Sequence, residues 1–335
     1  MLTSNSVFAN TYCAHSAAEL KTVLAEVSTG GAANDQSNTI LLVSGTFVTI
    51  AKEFAYLSAS AHALTLEGGY DSNCASQDPA LGSSILDGNH ATIVLSVATN
   101  GSVTVRHLTI QNGADGGASG AGVRISATDV AASAVFDSNV VRGNVSTYAA
   151  GGLSATGSGT VRIQNNLFVG NTGVVTAAFA TGMSAGATAY ITNNTVVANV
   201  TTHAAPTYTM ALGNNDPSIT IQVSNTISFG NTATFDYYLY GFQTAAFNNN
   251  DYGSIDGLLK PGSDGNLINI DPQFVGAGDY HLLSTSPLLR RGLNAPVGGL
   301  PVTDIEGNAR SIGGNVDLGA FENADAIFAN AFEAD

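Results

Sequence analysis

The chain contains no tryptophan, two cysteines and, among its ten basic residues, only three lysines. Two cysteines are too few for a disulfide-stapled scaffold or a thiolate zinc site. They read as two buried thiols or as one disulfide. Lys and Arg total 10 against 25 Asp and Glu, a formal net charge of −15. Such a surface offers no basic stripe to a phosphate backbone or an anionic headgroup, which disfavours nucleic acid and anionic membrane as partners. Charged residues make up only 10% of the chain, and 44% is hydrophobic, so it is not composed like a disordered one. No apolar run reaches the roughly 18 residues of a membrane-spanning helix. The opening "MLTSNSVFANTYC" lacks the charged and apolar regions of a signal peptide, which fits a mature form with an added Met or a cytosolic protein. The six histidines show no ligand spacing, so no transition-metal site is expected.

What the chain does have is repetition. "SNVVRGN", "NNLFVGN" and "NNTVVAN" begin at residues 138, 165 and 193. The asparagines closing successive units, Asn112, Asn144, Asn171, Asn199 and Asn231, are spaced by 32, 27, 28 and 32 residues. A period of this size marks stacked units. Each unit breaks into three alternating pieces of strand length, such as "GGLSAT", "GTVRIQNN" and "LFVGN". Three short strands per turn describe a coil of parallel strands. The predicted fold is all-β: a single right-handed parallel β-helix of roughly eight to ten turns, at about 4.8 Å per turn.

Asparagine tolerates left-handed backbone angles, which sharp corners between strands require. Asn139, Asn166 and Asn194, and Asn144, Asn171 and Asn199, are therefore read as structural corners whose side chains can bond along the stack. "NVS" at 144, "NNT" at 193 and "NVT" at 199 also match a glycosylation pattern, but recurrence at the coil period favours the corners. Alternation points Leu108 and Ile110, Leu167 and Val169, and Ile227 and Phe229 inward. Residues 1–30 are predicted to carry an amphipathic capping helix, with Ser16 and Glu19 as its capping box and Leu20, Val23, Leu24 and Val27 as its apolar face. The β-helix proper is expected over 31–255. A closing segment packing on the other end is expected over 256–323, and an acidic tail over 324–335.

Three regions carry a family resemblance: "YCAHSAAELKTVLAEV…ILLVSGTF", "LTLEGGYDSNCASQDPALGSSILDG", and "DPQFVGAGDYHLLSTSPLLRRG" with "TDIEGNARSIGGNVDLGAFE". With the repeats they make the chain resemble secreted bacterial parallel β-helix proteins of the choice-of-anchor and polymorphic-outer-membrane-protein-like kind. The coil units alone do not separate that group from pectate-lyase-like enzymes. The resemblance implies a secreted or cell-surface location and a polysaccharide or cell-surface glycan as partner. Cys13 and Cys74 lie in the first two of these regions, near the N-terminal end of the coil, and are expected adjacent and oxidised. Asp317, Arg310 and Glu322 are expected to form a clasp over the last rung.

Catalytic signals are poor. Between residues 100 and 250 there is no Glu or Lys, and Asp115, Asp129, Asp137, Asp216 and Asp236 make no pair recurring between rungs. Hydrolysis of a glycosidic bond asks for two such carboxylates. Lyase chemistry asks for a base and a cation beside the substrate carboxylate. The leading reading is a glycan-binding or adhesive protein without clear catalytic residues. The alternative is a polysaccharide lyase or glycoside hydrolase working in the groove of the first-strand sheet. Arg124, Tyr238 and Tyr240 are the glycan-contact candidates, on outward positions of that sheet, with small Ser126, Ser154 and Ser184 between them. Tyr148 and Tyr208 lie in loops before first strands. No cofactor is called for, although Asp264, Asn266 and Asp271 supply oxygen ligands of the type Ca²⁺ takes.

Overall fold

A computed structural model describes residues 9–79, 83–115, 117, 119–240, 244–276, 278–310 and 314–323. Residues 1–8 of the expected N-terminal segment and the expected tail 324–335 lie outside the described residues. Three parallel sheets run the length of a right-handed parallel β-helix. The first-strand sheet has eight strands, from Phe54–Ser58 to Ile255–Asp256. The second has ten, from Asn10–Ala14 to Leu258–Leu259, and the third nine, from Gly45–Val48 to Leu267–Ile268. The one helix among the described residues, Ala17–Val27, buries Leu20, Leu24 and Val27 over the N-terminal end. Ser16 Oγ accepts from the Glu19 backbone N–H at 3.2 Å. The Glu19 carboxylate reaches past Ser16 to the backbone N–H of His15 at 2.8 Å, so the box closes one residue upstream of the expected place. Cys13 and Cys74 form a disulfide, and no cysteine is free.

The interior is filled by side chains in register along each sheet. Phe136, Phe168 and Phe179 come from second, third and first strands and meet at ring separations of 6.2 and 4.9 Å. All three are shielded from solvent, a burial that stabilises by about 1.5–3 kcal/mol per side chain.

The corners divide their labour between two asparagine columns. Left-handed angles fall on Ser138, Asn165, Asn193 and Asn225, one residue before the expected corner positions. At the other corner they fall on Gly143, Gly170 and Ala198, again one residue ahead of the asparagine. The asparagines that follow point inward and form ladders. Asn166 Oδ1 accepts from Asn139 N and Nδ2 at 2.9 and 3.2 Å, and Asn194 Oδ1 accepts from Asn166 N and Nδ2 at 3.0 Å each. Asn144, Asn171, Asn199 and Asn231 repeat this along the next corner. Asn144, Asn193 and Asn199 are fully buried, which closes them to glycosylation.

Two expectations about facing and closure are corrected. On the third strands, Phe168 faces the interior, whereas Leu167 and Val169 face outward, as do Ile227 and Phe229. Leu108 and Ile110 do join the interior. The outward apolar residues are covered by the closing segment, whose first residues add the coil's last strands, Leu258–Leu259 and Leu267–Ile268, and whose remainder lies along the flank of the third-strand sheet. Ile305, Ala320 and Phe321 cover Val140, Leu167 and Val197, and Leu282, Leu288 and Leu318 cover Ile227. With apolar residues needed on both faces of these strands, alternation could not give their phase.

The left-handed asparagines hold this strap. Asn165 Nδ2 donates to Thr303 O at 2.9 Å, Asn193 Nδ2 to Gly319 O at 3.3 Å, and Asn225 Nδ2 to Leu293 O at 3.0 Å. Arg162 donates to Gly298 O at 2.6 Å while stacking over Tyr190. A Cβ on Gly298 would sit 2.2 Å from that tyrosine ring, at φ +100, so this crossing requires glycine. The predicted clasp forms between Arg310 and Glu322, at 3.4 Å, but over the middle of the coil at Asn165. Asp317 accepts instead from the backbone N–H groups of Arg290 and Asn323, at 2.6 and 2.9 Å.

Candidate functional site

On the first strands, buried Val123, Ile125 and Ala127 leave Arg124 and Ser126 on the outer face. Register then carries Arg124 along a single column. Its partners in successive strands are Ser154, Ala180, Ala211, Tyr238 and Asp256. Residues far apart in the chain thus share one surface, floored by small side chains between a cation and an aromatic group. Ser184, expected in this floor, lies just beyond its strand and bonds Ser158 at 2.9 Å.

The aromatic end is larger than the candidate pair. Inward Tyr237 and Leu239 leave Tyr238 and Tyr240 half-buried on the outside. Tyr238 stacks on Tyr208 at 4.5 Å and 20°, and tilts against Tyr240 at 4.6 Å. Tyr208 also stacks on Phe235 at 6.0 Å. The Tyr208 hydroxyl donates to Asp256 Oδ2 at 3.1 Å. Burial, reinforced by that carboxylate, pushes the Tyr208 phenol up to about 12. Burial also raises Tyr240, with the neighbouring Tyr238 and Tyr148 adding to the shift. Tyr148 is 62% exposed and stands at the margin of this group. The result is a trough of tyrosine faces with hydroxyl tips and one carboxylate.

Arg124 is held at the other end. Its Nε donates to Ser119 O at 2.7 Å, and one terminal nitrogen is buried with no partner among the described residues. Arg162 does not join the site, being committed to the strap on the second-strand sheet.

The coil carboxylates have structural partners. Asp115 accepts from Ser146 and Thr147, Asp129 from Ala131 N, Asp137 from Ser138 and Gln164, and Asp216 from Ser218. Asp236 receives Ser228 Oγ and Gly253 N, each at 2.5 Å, and burial raises its pKa despite these donors. The residues named for Ca²⁺ have hydrogen-bond partners within the chain. Asn266 Oδ1 continues the ladder from Asn250, while Asp264 and Asp271 bond the nearby backbone N–H groups of Gly265 and Gln273. Among the described residues no three His, Cys, Asp or Glu side chains group as metal ligands.

Reading the sequence missed Phe235 and Asp256 as members of the trough. Asp256 follows Tyr238 by 18 residues, well short of the coil period, so spacing gave no signal. The alternating run "FDYYLY" was the available signal for Phe235.

No family model matches the chain, and no curated protein matches it. Among solved structures it is similar to the pectate lyase Pel9A, at 14% identity and a TM-score of 0.46, over 96% of this chain and 98% of that one. It is also similar to the PL6 family polysaccharide lyase Pedsa3628 from Pseudopedobacter saltans, at 12% identity and a TM-score of 0.35, over 81% and 72% of the two chains. Similarity this low carries nothing about activity, and the site rests on its own geometry.

Proposed function

We propose that this chain is a secreted or surface-associated β-helix protein, of the choice-of-anchor and polymorphic-outer-membrane-protein-like kind, that binds a polysaccharide or cell-surface glycan without cleaving it. The observation that carries this reading is the register column joining Arg124 to Tyr238 across Ser154, Ala180 and Ala211, with Tyr208 and Tyr240 beside its aromatic end. Tyrosine faces stack on sugar rings, their hydroxyls meet sugar hydroxyls, and the guanidinium offers further donors. The structural partners of the coil carboxylates support binding over cleavage. The Cys13–Cys74 disulfide supports an oxidising compartment.

The test is the double variant Tyr238→Ala with Tyr240→Ala, titrated against a panel of neutral, acidic and aminated glycans. Loss of about tenfold or more in affinity, with the melting transition retained, is the expected result. Unchanged affinity would reject the site. Unsaturated products or new reducing ends on incubation with the panel would reject the non-catalytic reading.

A further inference from the structure

The trough contains acid as well as rings. Asp256 lies one strand beyond Tyr238 in the same column and accepts the Tyr208 hydroxyl, which fixes its carboxylate beside the stacked rings. Near the margin, Asp115 accepts both the backbone N–H and the hydroxyl of Thr147, the residue before exposed Tyr148, at 2.8 and 2.9 Å. The one cation of the column, Arg124, is four strands away from Tyr238, about 19 Å at about 4.8 Å per rung, and its Nε is bonded to Ser119 O. The whole chain adds a net charge of −15.

We propose that this trough recognises glycans bearing ammonium groups, that is, oligomers of amino sugars. The proposal rests on the glycan-binding reading and narrows it. An ammonium group is drawn to the negative face of an aromatic ring, most strongly where several rings and a carboxylate surround it. Here the half-buried rings of Tyr238 and Tyr240 supply the faces, backed by buried Tyr208, and Asp256 the opposite charge. The sugar ring carrying the ammonium lies over Tyr238, and its neighbours follow the small-residue floor of Ala211 and Ala180, short of the Arg124 guanidinium. A uronate chain would bring its carboxylates against Asp256 and a strongly acidic protein. N-acetylation would remove the charge while keeping the ring.

Three hexamers on the unaltered chain test this by calorimetry: β-1,4-linked glucosamine, its fully N-acetylated form, and galacturonate. The glucosamine hexamer is expected to bind about tenfold more tightly than the acetylated one, and the galacturonate hexamer least. The advantage should shrink as salt is raised. Asp256→Asn should reduce glucosamine binding to the acetylated level, and Tyr238→Ala should abolish binding of both. Acetylated or galacturonate hexamer binding as tightly as glucosamine, yet lost in Tyr238→Ala, would overturn the ammonium inference and leave the glycan-binding reading standing. A glucosamine preference that survives both substitutions overturns it as well, by placing the ammonium elsewhere. No binding of any hexamer overturns the ammonium inference, and the glycan-binding reading is then decided by the wider panel. The ranking on the unaltered chain decides the point even where a variant fails to fold.

Discussion

Arg310 Nη2 donates to Asn165 Oδ1 at 2.7 Å, joining residues 145 positions apart. Nε of the same guanidinium reaches that oxygen at 3.1 Å, and Nη2 also bonds the carbonyls of Gly319 and Ala320. The arginine is 1% exposed. A corner asparagine in the left-handed region therefore holds the strap against the coil. Asn165→Gly keeps the backbone geometry and removes the acceptor from a buried cation. It should cost about 2–3 kcal/mol in urea unfolding. A change below about 0.5 kcal/mol would mean the strap does not depend on this contact.

The inward ladder makes a separate prediction. Asn194 accepts from Asn166 N and Nδ2 and donates to Ile163 O at 2.8 Å, all buried. Asn194→Ala takes the partner from Asn166 N and from Ile163 O, at about 1–3 kcal/mol each, so a total loss of about 2–6 kcal/mol is expected. Ser154→Ala, on the outer floor, should stay within about 0.5 kcal/mol. Equal effects in the two variants would remove the ladder from the account of stability.

Stability should fall as pH rises from about 4 to about 9. Burial, with Asp317 nearby, outweighs Arg310 and raises Glu322 to about 8, and burial raises Asp251 to about 6. Each is protonated more readily folded than unfolded, so its destabilising charge appears as pH passes from the unfolded to the folded value. His281 acts in the same direction. Glu306 and Asp279 raise it to about 9, so the stability gained from its charge is lost as pH climbs toward that value. Asp71, Asp87, Asp115, Asp216 and Asp279, whose pKa values are lowered, lose their contribution only as pH falls below the ordinary carboxylate value. Calorimetric melting across this range, at fixed ionic strength, should show Tm declining with pH. Glu322→Gln should flatten the decline, and a Tm that climbs with pH would contradict the assignment.

The Cys13–Cys74 bridge closes a separation of 61 residues. Chain entropy puts the stabilisation near 4 kcal/mol as an upper value. Cys13→Ser with Cys74→Ser should lose about 2–4 kcal/mol, read by denaturant unfolding. Thiol titration of the unreduced, denatured chain should find no free thiol, and two reactive thiols would refute the bridge.

By itself the sequence determined the coil. The spacing of its asparagines, strand-length apolar pieces and turn residues is local chemistry repeated along one dimension, and local chemistry can be read in order. It also marked the capping helix, through Ser16 and the apolar face of Leu20, Leu24 and Val27. Tertiary structure alone decided which side of each third strand faces in, because Leu167 and Phe168 are both apolar and both buried, one beneath the strap and one in the core. It alone assigned the left-handed angle to Asn165 and the ladder to Asn166, since adjacent asparagines carry the same chemistry and differ only in direction. The trough depended on it most. Arg124, Tyr238 and Asp256 share a column only because parallel pairing sets the register strand by strand, and a register that accumulates over irregular turns cannot be counted from spacing.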